Sequence, residues 1–167
     1  PGLAESNLFL ISSSGAADLS FNEFNPLFNR DRLALQASGM AGENETWAGE
    51  GIVSGIYGKL SMSAGYTHFE TDGWRENSDQ EDNIANIFAQ VELTYKTSIQ
   101  AEYRYRETDR GDTLLLFDND DYAPDLRYDD EADTFRFGFR HFFSPSSKFI
   151  GNLSYSEVSK NQSNIYY

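Results

Sequence analysis

Strict two-residue alternation between Ile99 and Arg106 constrains this chain more than any other feature of its sequence. Apolar or aromatic residues occupy every odd position of the stretch, and polar or charged residues occupy every even position. A strand places successive side chains on opposite faces, so the pattern predicts a strand with one apolar and one ionic face. In a soluble sandwich the apolar face is the core. In a membrane barrel that face meets lipid and the ionic face lines the lumen.

The same alternation recurs in a unit of two strands joined by a short turn and followed by a long loop. Short turns are predicted near residues 58, 96 and 146, so the unit repeats every roughly 40 to 50 residues. Each predicted strand has about ten residues, the length that a tilted strand needs to cross a bilayer. We expect seven or eight such strands in residues 31–167, preceded by an irregular, plug-like or linker segment in residues 1–30.

Two features favour lipid, not a protein core, on the apolar face. The connections are short at one end of the strands and long and polar at the other, which is typical of outer-membrane barrels. Aromatic residues gather near both strand ends, as in interfacial girdles. They are Tyr57, Tyr95, Phe143 and Phe149 near the turns, and Tyr66, Phe69, Tyr105, Phe135 and Tyr155 near the loops. The predicted fold is therefore all-β: an antiparallel up-and-down transmembrane β-barrel, or a segment of a larger one. Residues 5–12 and the tail are both candidates for an eighth strand. We favour the segment, because residues 1–30 are irregular and the end of the chain lacks a clear final strand.

The charge distribution restricts the partners. The net charge of −14 argues against nucleic acid. Of the 27 acidic residues, 17 lie in two inserts, 70–82 and 107–133, which are predicted to be solvated, extracellular loops. The chain has no cysteine, hence no disulfide framework or thiolate metal site, and no apolar run long enough for a transmembrane helix.

The sequence offers little material for catalysis. Its two histidines, His68 and His141, fall on the predicted apolar face near strand ends, where a Ser/His/Asp site is not expected. No carboxylate pair stands out among the many acidic residues, and no glycine-rich phosphate loop precedes a helix. We expect a non-enzyme without a cofactor.

A carboxylate cluster in the second insert is a candidate for weak divalent-cation binding, since clustered carboxylates bind hard cations. Its members are Asp118, Asp120, Asp121 and Asp125. The spacing of an EF-hand is missing, because no glycine stands at the sixth position and Tyr122 occupies a ligand position. A solvated acidic loop is the alternative, and Ca²⁺ or Mg²⁺ bridging to lipopolysaccharide phosphates stays open.

Four arginines share the polar face of two strands that are neighbours along the chain. They are Arg104, Arg106, Arg136 and Arg140, with Glu92 and Glu102 on the same face as candidate partners. Consecutive strands usually pair, so these charges should form one lumen-facing strip. One interpretation is an ion-pair ladder that stabilises the wall. The other is a basic strip that attracts anionic solutes or polymer.

Three segments carry a resemblance: 21–28 (FNEFNPLF), 69–77 (FETDGWREN) and 96–105 (KTSIQAEYRY). They resemble the barrel portion of Gram-negative outer-membrane proteins that carry tetratricopeptide repeats ahead of a β-barrel. The resemblance implies an outer-membrane, porin-like conduit for polymer export or solute uptake, surrounded by membrane lipid and lipopolysaccharide. This chain lacks the repeat helices, so further barrel strands or a periplasmic repeat domain would belong to a parent protein. A soluble, secreted β-sheet module whose acidic loops bind a partner remains the alternative.

Overall fold

The computed structural model describes residues 32–114 and 122–163, which form one antiparallel sheet with seven strands in sequence order. The strands are β1 Arg32–Ala41, β2 Trp47–Tyr57, β3 Leu60–Thr71, β4 Gln80–Thr94, β5 Thr97–Arg110, β6 Arg127–Ser144 and β7 Ser147–Ser163. The prediction of an all-β, antiparallel up-and-down arrangement is confirmed. Within the described residues the sheet is not closed, so β1 and β7 are its edge strands. The predicted irregular segment 1–30 lies outside the described residues.

The connections differ between the two ends of the sheet, as expected. Two-residue turns join β2 to β3, β4 to β5, and β6 to β7. At the other end the connections comprise residues 42–46, 72–79 and 111–126, and they are called the long loops below. Gly58 begins the first two-residue turn with a φ of 59°, in the left-handed region that glycine adopts without strain. Within the described ranges, no helix is long and apolar enough to span a membrane.

The strand register gives the sheet one apolar and one polar face. Residues opposite one another in the ladders point to the same side, so the alternation within each strand is carried across the sheet. The apolar face includes Leu35, Val53, Met62, Ile87, Ala101, Phe137 and Leu153. The polar face includes Gln36, Ser54, Ser63, Gln90, Gln100, Arg136 and Asn152.

Burial on the two faces is opposite to that of a soluble sheet. On the apolar face of the central strands Ile87 is 57% exposed and Phe137 is 47% exposed, whereas on the polar face Gln90 and Gln100 are only 3% and 2% exposed. The edge strands β1 and β7 are largely exposed on both faces. The buried apolar side chains of the strands, Ala48, Ile52 and Ile84, also lie on the polar face. The described residues form no second layer, so this burial comes from side chains of the same sheet. The sheet must therefore curve toward its polar face.

The acidic inserts are shorter than predicted, because the strands continue into them. The pairing of β5 with β6 extends to Arg110 and Tyr128, beyond the apolar segments of both strands. It places like charges opposite each other, as in the pair of Glu107 with Glu131, which is unfavourable. Asp109 and Asp129 form a second such pair. Arg127 offsets part of their repulsion, since it bonds to Asp109 and, at 2.6 Å, to Asp79. A change from apolar to charged residues therefore marked the end of the apolar face and not the end of the strand.

One aromatic residue was assigned to the wrong face. Phe69 pairs with Ala48 and lies on the polar face, three residues after the outward-facing Tyr66. A separation of three residues reverses the face in a strand, so Phe69 cannot belong to the same aromatic row as Tyr66.

Candidate functional site

The two-residue turns lie on an oblique line across the sheet. Leu60, the first residue of β3, pairs with Val91 on β4, and Val91 pairs with Ile99 on β5. β5 begins two residues before Ile99, at Thr97, so its turn lies two residues further from the long loops than the turn before β3. The next hairpin repeats the step, because Thr97 lies level with Phe149 and β7 begins two residues further on. Two residues measure about 6.6 Å along a strand, while two strand spacings measure about 9.6 Å. If the turns lie in one plane, the strands are tilted by about 35°, which is within the range for membrane barrels.

A row of acidic residues runs parallel to the line of turns. On β3, β5 and β7 the first acidic residue of the apolar face stands ten residues after the residue that leaves the turn. The three pairs are Leu60 with Glu70, Thr97 with Glu107, and Ser147 with Glu157. Ten residues span about 33 Å along the strand, or about 27 Å perpendicular to the turns at this tilt. The apolar face is thus a band of constant height, close to the roughly 25 Å of an outer-membrane barrel.

Aromatic side chains mark the upper edge of this apolar band, which is the edge nearer the long loops. Trp47 donates its indole N–H to Glu70 at 3.0 Å, and the Tyr66 hydroxyl donates to Asn83 at 2.6 Å. The Tyr103 hydroxyl donates to Asp133 at 2.6 Å. In each case the ring lies on the apolar face and the polar tip contacts a residue level with it or nearer the long loops. Tyrosine and tryptophan adopt this arrangement at membrane–water interfaces.

The turn edge of the apolar band also carries aromatic side chains. Tyr57 is 83% exposed and Tyr95 is 89% exposed, both beside two-residue turns. Lys96 lies over the Tyr95 ring, with its Nζ 5.4 Å from the ring centroid. His141 is on the apolar face near this edge, where its Nδ1 is 2.9 Å from the Thr97 hydroxyl. The second histidine, His68, lies near the upper edge against Trp47, with ring centroids 4.4 Å apart.

On the polar face, Glu102 joins two of the four predicted arginines. Its Oε1 accepts a hydrogen bond from Arg136 at 2.8 Å and lies 3.7 Å from a terminal nitrogen of Arg104. The side chains of Glu102 and Arg136 are only 8% and 7% exposed. Such a buried pair is costly to break, because the remaining charge lacks compensation.

The third arginine, Arg106, is bound to a carboxylate that was not predicted as its partner, Asp82. Its terminal nitrogen contacts Asp82 Oδ1 at 2.9 Å, and the Thr108 hydroxyl donates to the same oxygen at 2.5 Å. Asp82 is only 1% exposed. Asp82 was predicted to lie in the acidic insert 70–82, although its even spacing from Gln90 and Glu92 places it on the polar face of β4.

The remaining residues of the predicted strip lie nearer the turns. Arg140 donates to Ser98 Oγ at 2.9 Å and lies over the Phe142 ring, at 5.2 Å from its centroid. Glu92 pairs with Ser98 across the ladder but is exposed, and it forms no ion pair among the described residues. The four arginines therefore share one face, and at least three of them contact a carboxylate on that face. This arrangement favours the ion-pair ladder over a freely exposed basic strip.

The long loops after β3 and β5 contact each other through Arg75. Its guanidinium donates to the carbonyl oxygens of Asp112 and Leu114 at 3.1 and 3.0 Å and lies 3.5 Å from the Asp112 carboxylate. It also stacks near the Tyr122 ring, at 5.3 Å from the centroid. The sequence held a signal for this role, because Arg75 is the single basic residue in the acidic insert 70–82.

Asp112 is the second centre of this loop contact. Its carboxylate accepts backbone hydrogen bonds from Ala123 and Leu114, both at 3.1 Å. The bond from Ala123, followed by that from Leu114 and the attraction of Arg75, holds the pKa of Asp112 below its ordinary value, although burial opposes them. Asp112 is therefore a structural anion at neutral pH.

Asn77 and Gly111 bring the two loops into direct backbone contact. The Asn77 side-chain amide donates to the carbonyl oxygens of Ala123 and Leu126 at 2.7 and 3.0 Å. The Asn77 carbonyl accepts the Asp112 N–H at 2.6 Å. A β-carbon on Gly111 would lie 2.1 Å from this same carbonyl oxygen, so only glycine fits there.

The predicted divalent-cation cluster is only partly described. Asp118, Asp120 and Asp121 lie outside the described residues, and Asp125 is exposed in the loop before β6. Cation binding by these residues stays a prediction.

In comparisons with protein-family models, with curated proteins and with solved structures, nothing matches this chain. We therefore infer its function from the geometry of the sheet.

Proposed function

We propose that this sheet is part of the wall of a β-barrel in the bacterial outer membrane. Its apolar face contacts lipid, its polar face lines the lumen, and the long loops lie on the extracellular side. The barrel serves as a pore, a conduit or another transport-associated wall.

The observation that carries this proposal is the constant height of the exposed apolar band. The turns and the acidic row stay ten residues apart on β3, β5 and β7, although both shift by two residues between these strands. Two parallel boundaries are what a planar bilayer imposes on tilted strands. The packing of a protein core imposes no such constraint.

The proposal also accounts for the inverted burial of the sheet. In water, an apolar face with Ile87 57% exposed and Phe137 47% exposed on central strands would be unfavourable or would need a covering partner. Lipid covers such a face, while the buried ion pairs of the polar face are kept away from hydrocarbon. The alternative, a soluble binding module, does not explain why the apolar face is exposed and the polar face is buried.

The charged residues that face the lumen serve mainly to stabilise the pairing of neighbouring strands. Glu102 holds Arg104 and Arg136, and Asp82 holds Arg106, so these arginines tie β4, β5 and β6 together. The carboxylates offset much of the positive charge, so we expect at most a weak anion preference. Above the band, acidic residues such as Glu107 and Glu131 would face lipopolysaccharide phosphates, with divalent cations relieving the repulsion.

A labelling experiment on intact cells tests the membrane topology. The natural chain has no cysteine, so a single introduced thiol reports one site. We expect a bulky, membrane-impermeant maleimide to label Asp125→Cys on intact cells, because Asp125 is exposed in the loop before β6. Tyr95→Cys, at a two-residue turn, should react only after the outer membrane is permeabilised. Equal labelling of both sites on intact cells, or recovery of the protein in the soluble fraction, would contradict the proposal.

A further inference from the structure

The two edge strands of the sheet run in the same direction. Every neighbouring pair is antiparallel, and there are seven strands, so β1 and β7 both run from the turn end to the loop end. Both are highly exposed strands whose outer backbone edges meet no other strand among the described residues. In a bilayer an unpaired edge is prohibitive, because no water is available to hydrogen-bond its N–H and C=O groups.

From these directions we infer that an odd number of further strands of the same polypeptide closes the sheet between β7 and β1. The inference rests on the proposed membrane location. Direct pairing of β7 with β1 would give a parallel seam, whereas bacterial single-chain barrels are antiparallel with an even strand number. One added strand gives eight strands in total, and three give ten.

A second copy of this sheet cannot close the barrel in the antiparallel manner. With both copies oriented alike in the membrane, β7 of one copy would meet β1 of the other, and these strands are again parallel. Turning one copy over would make the pair antiparallel but would place its long loops on the opposite side of the membrane. The same-polypeptide source agrees with the rest of the sheet, where every neighbour in space is a neighbour in sequence.

The strand direction and the apolar band define what the closing strands look like. The strand next to β7 and the strand next to β1 both run from the loop end to the turn end. Their side chains alternate between apolar residues facing lipid and small or polar residues facing the lumen. The strand beside β7 changes from acidic to apolar near the level of Glu157, where the boundary crosses β7.

Cysteine cross-linking in the native membrane separates this arrangement from a direct seam. Leu35 and Phe149 lie on the apolar face of β1 and β7. When the two-residue step is continued from β3 to β1, the line of turns reaches Leu33, so Leu35 stands two residues above the line, as Phe149 does above Ser147. In a direct seam, within one chain or between two, Leu35→Cys and Phe149→Cys would be neighbours. With a strand between them they are about 10 Å apart or more, beyond the roughly 7 Å Cα limit for a disulfide.

The matched control is Ala64→Cys with Ile87→Cys, which are directly opposite on β3 and β4 and also face outward. We expect oxidation to cross-link the control pair and to give an at least about tenfold lower yield for the edge pair, whether within or between chains. Hydrogen exchange on the same membranes should show protected amides on the outer edges of both β1 and β7.

Two results would overturn the inference: cross-linking of the edge pair at the control yield, or rapid exchange of the edge amides. Resistance to carbonate extraction is measured on the same sample. A protein that leaves the membrane on extraction refutes the proposed function, whereas a membrane-embedded protein with a β1–β7 cross-link refutes only the odd number of added strands.

Discussion

Placing an arginine at Ala101 tests whether lipid solvates the apolar face. Ala101 is exposed and lies four residues from Thr97, at the turn boundary, and six from Glu107, at the acidic boundary. Its ladder neighbours Ala89 and Phe137 face the same side. The position is therefore close to the middle of the apolar band.

The expected cost depends on what surrounds this face. Near the midplane of a bilayer, an arginine on the lipid face of a barrel costs about 2–4 kcal/mol. This corresponds to an about 30- to 700-fold smaller folding equilibrium constant. In water, Ala101→Arg would be an ordinary surface substitution, with an effect within about 0.5 kcal/mol.

The assay is a urea titration of folding into phospholipid vesicles, followed by tryptophan fluorescence. Leu93→Arg gives the depth dependence, because Leu93 lies in the bulge beside the β4–β5 turn and should cost only about 0–1 kcal/mol. Gln36→Arg is the matched control, since Gln36 is exposed on the polar face and should tolerate the charge. A cost at Ala101 no larger than the cost at Gln36 would refute the assignment of the faces.

Four further predictions concern the buried ion pairs, the acidic row and the long loops. Glu102→Ala should reduce the free energy of unfolding by about 3–5 kcal/mol in the same titration, because it leaves Arg136 buried without its carboxylate, and Glu102→Ala combined with Arg136→Met should recover part of this loss. Glu107→Ala, which removes a like-charge contact with Glu131, should change stability by no more than about 0.5 kcal/mol. Gly111→Ala should separate the two long loops, seen as faster amide exchange at Asp112, whereas Gly51→Ala should have no such effect because a β-carbon there meets nothing within 4 Å. Because the pKa of Asp112 is lowered in the folded protein, its ionised carboxylate stabilises the loop contact at pH values above the ordinary pKa of aspartate. This stabilisation is lost as the pH falls through the pKa of Asp112 in the folded protein, so the protease resistance of the loops should decline below about pH 4. Asp112→Asn should remove that pH dependence.

The alternation of side chains was sufficient to predict the sheet and its two faces. The end of β2 at Tyr57 and the start of β3 at Leu60 agree with the turn predicted near residue 58. Strand parity also placed all four arginines on one face. These features depend only on the period of two in a strand, which the sequence displays directly.

Features that depend on pairing between distant segments were not predicted. The strands extend through Asp82 and Glu107 because backbone hydrogen bonding continues beyond the apolar band. Both residues were predicted to lie in loops, because charged residues were interpreted as the end of a strand. The partnership of Asp82 with Arg106 depends on the register between β4 and β5. The contact of Arg75 with Asp112 joins two loops separated by β4 and β5, and neither loop carries a periodic signal.

The constant spacing between turns and acidic residues could have been found from sequence. Leu60 to Glu70, Thr97 to Glu107 and Ser147 to Glu157 each span ten residues, and the interval is visible once the turn positions are fixed. The register adds the oblique step between strands, from which the tilt follows. Sequence and register together thus define two parallel boundaries.

A spin-label scan along β5 in lipid vesicles tests whether lipid contacts the apolar face of the sheet. Single cysteines from Thr97 to Glu107 carry a nitroxide, and collision with oxygen, which is concentrated in lipid, is compared with collision with a water-soluble nickel complex. We predict a period of two, with high oxygen accessibility at Ile99, Ala101 and Tyr103, low accessibility at the even positions, and a rise in nickel accessibility at Glu107. Equal access of both reagents at odd and even positions, or oxygen maxima at Gln100 and Glu102, would contradict the account.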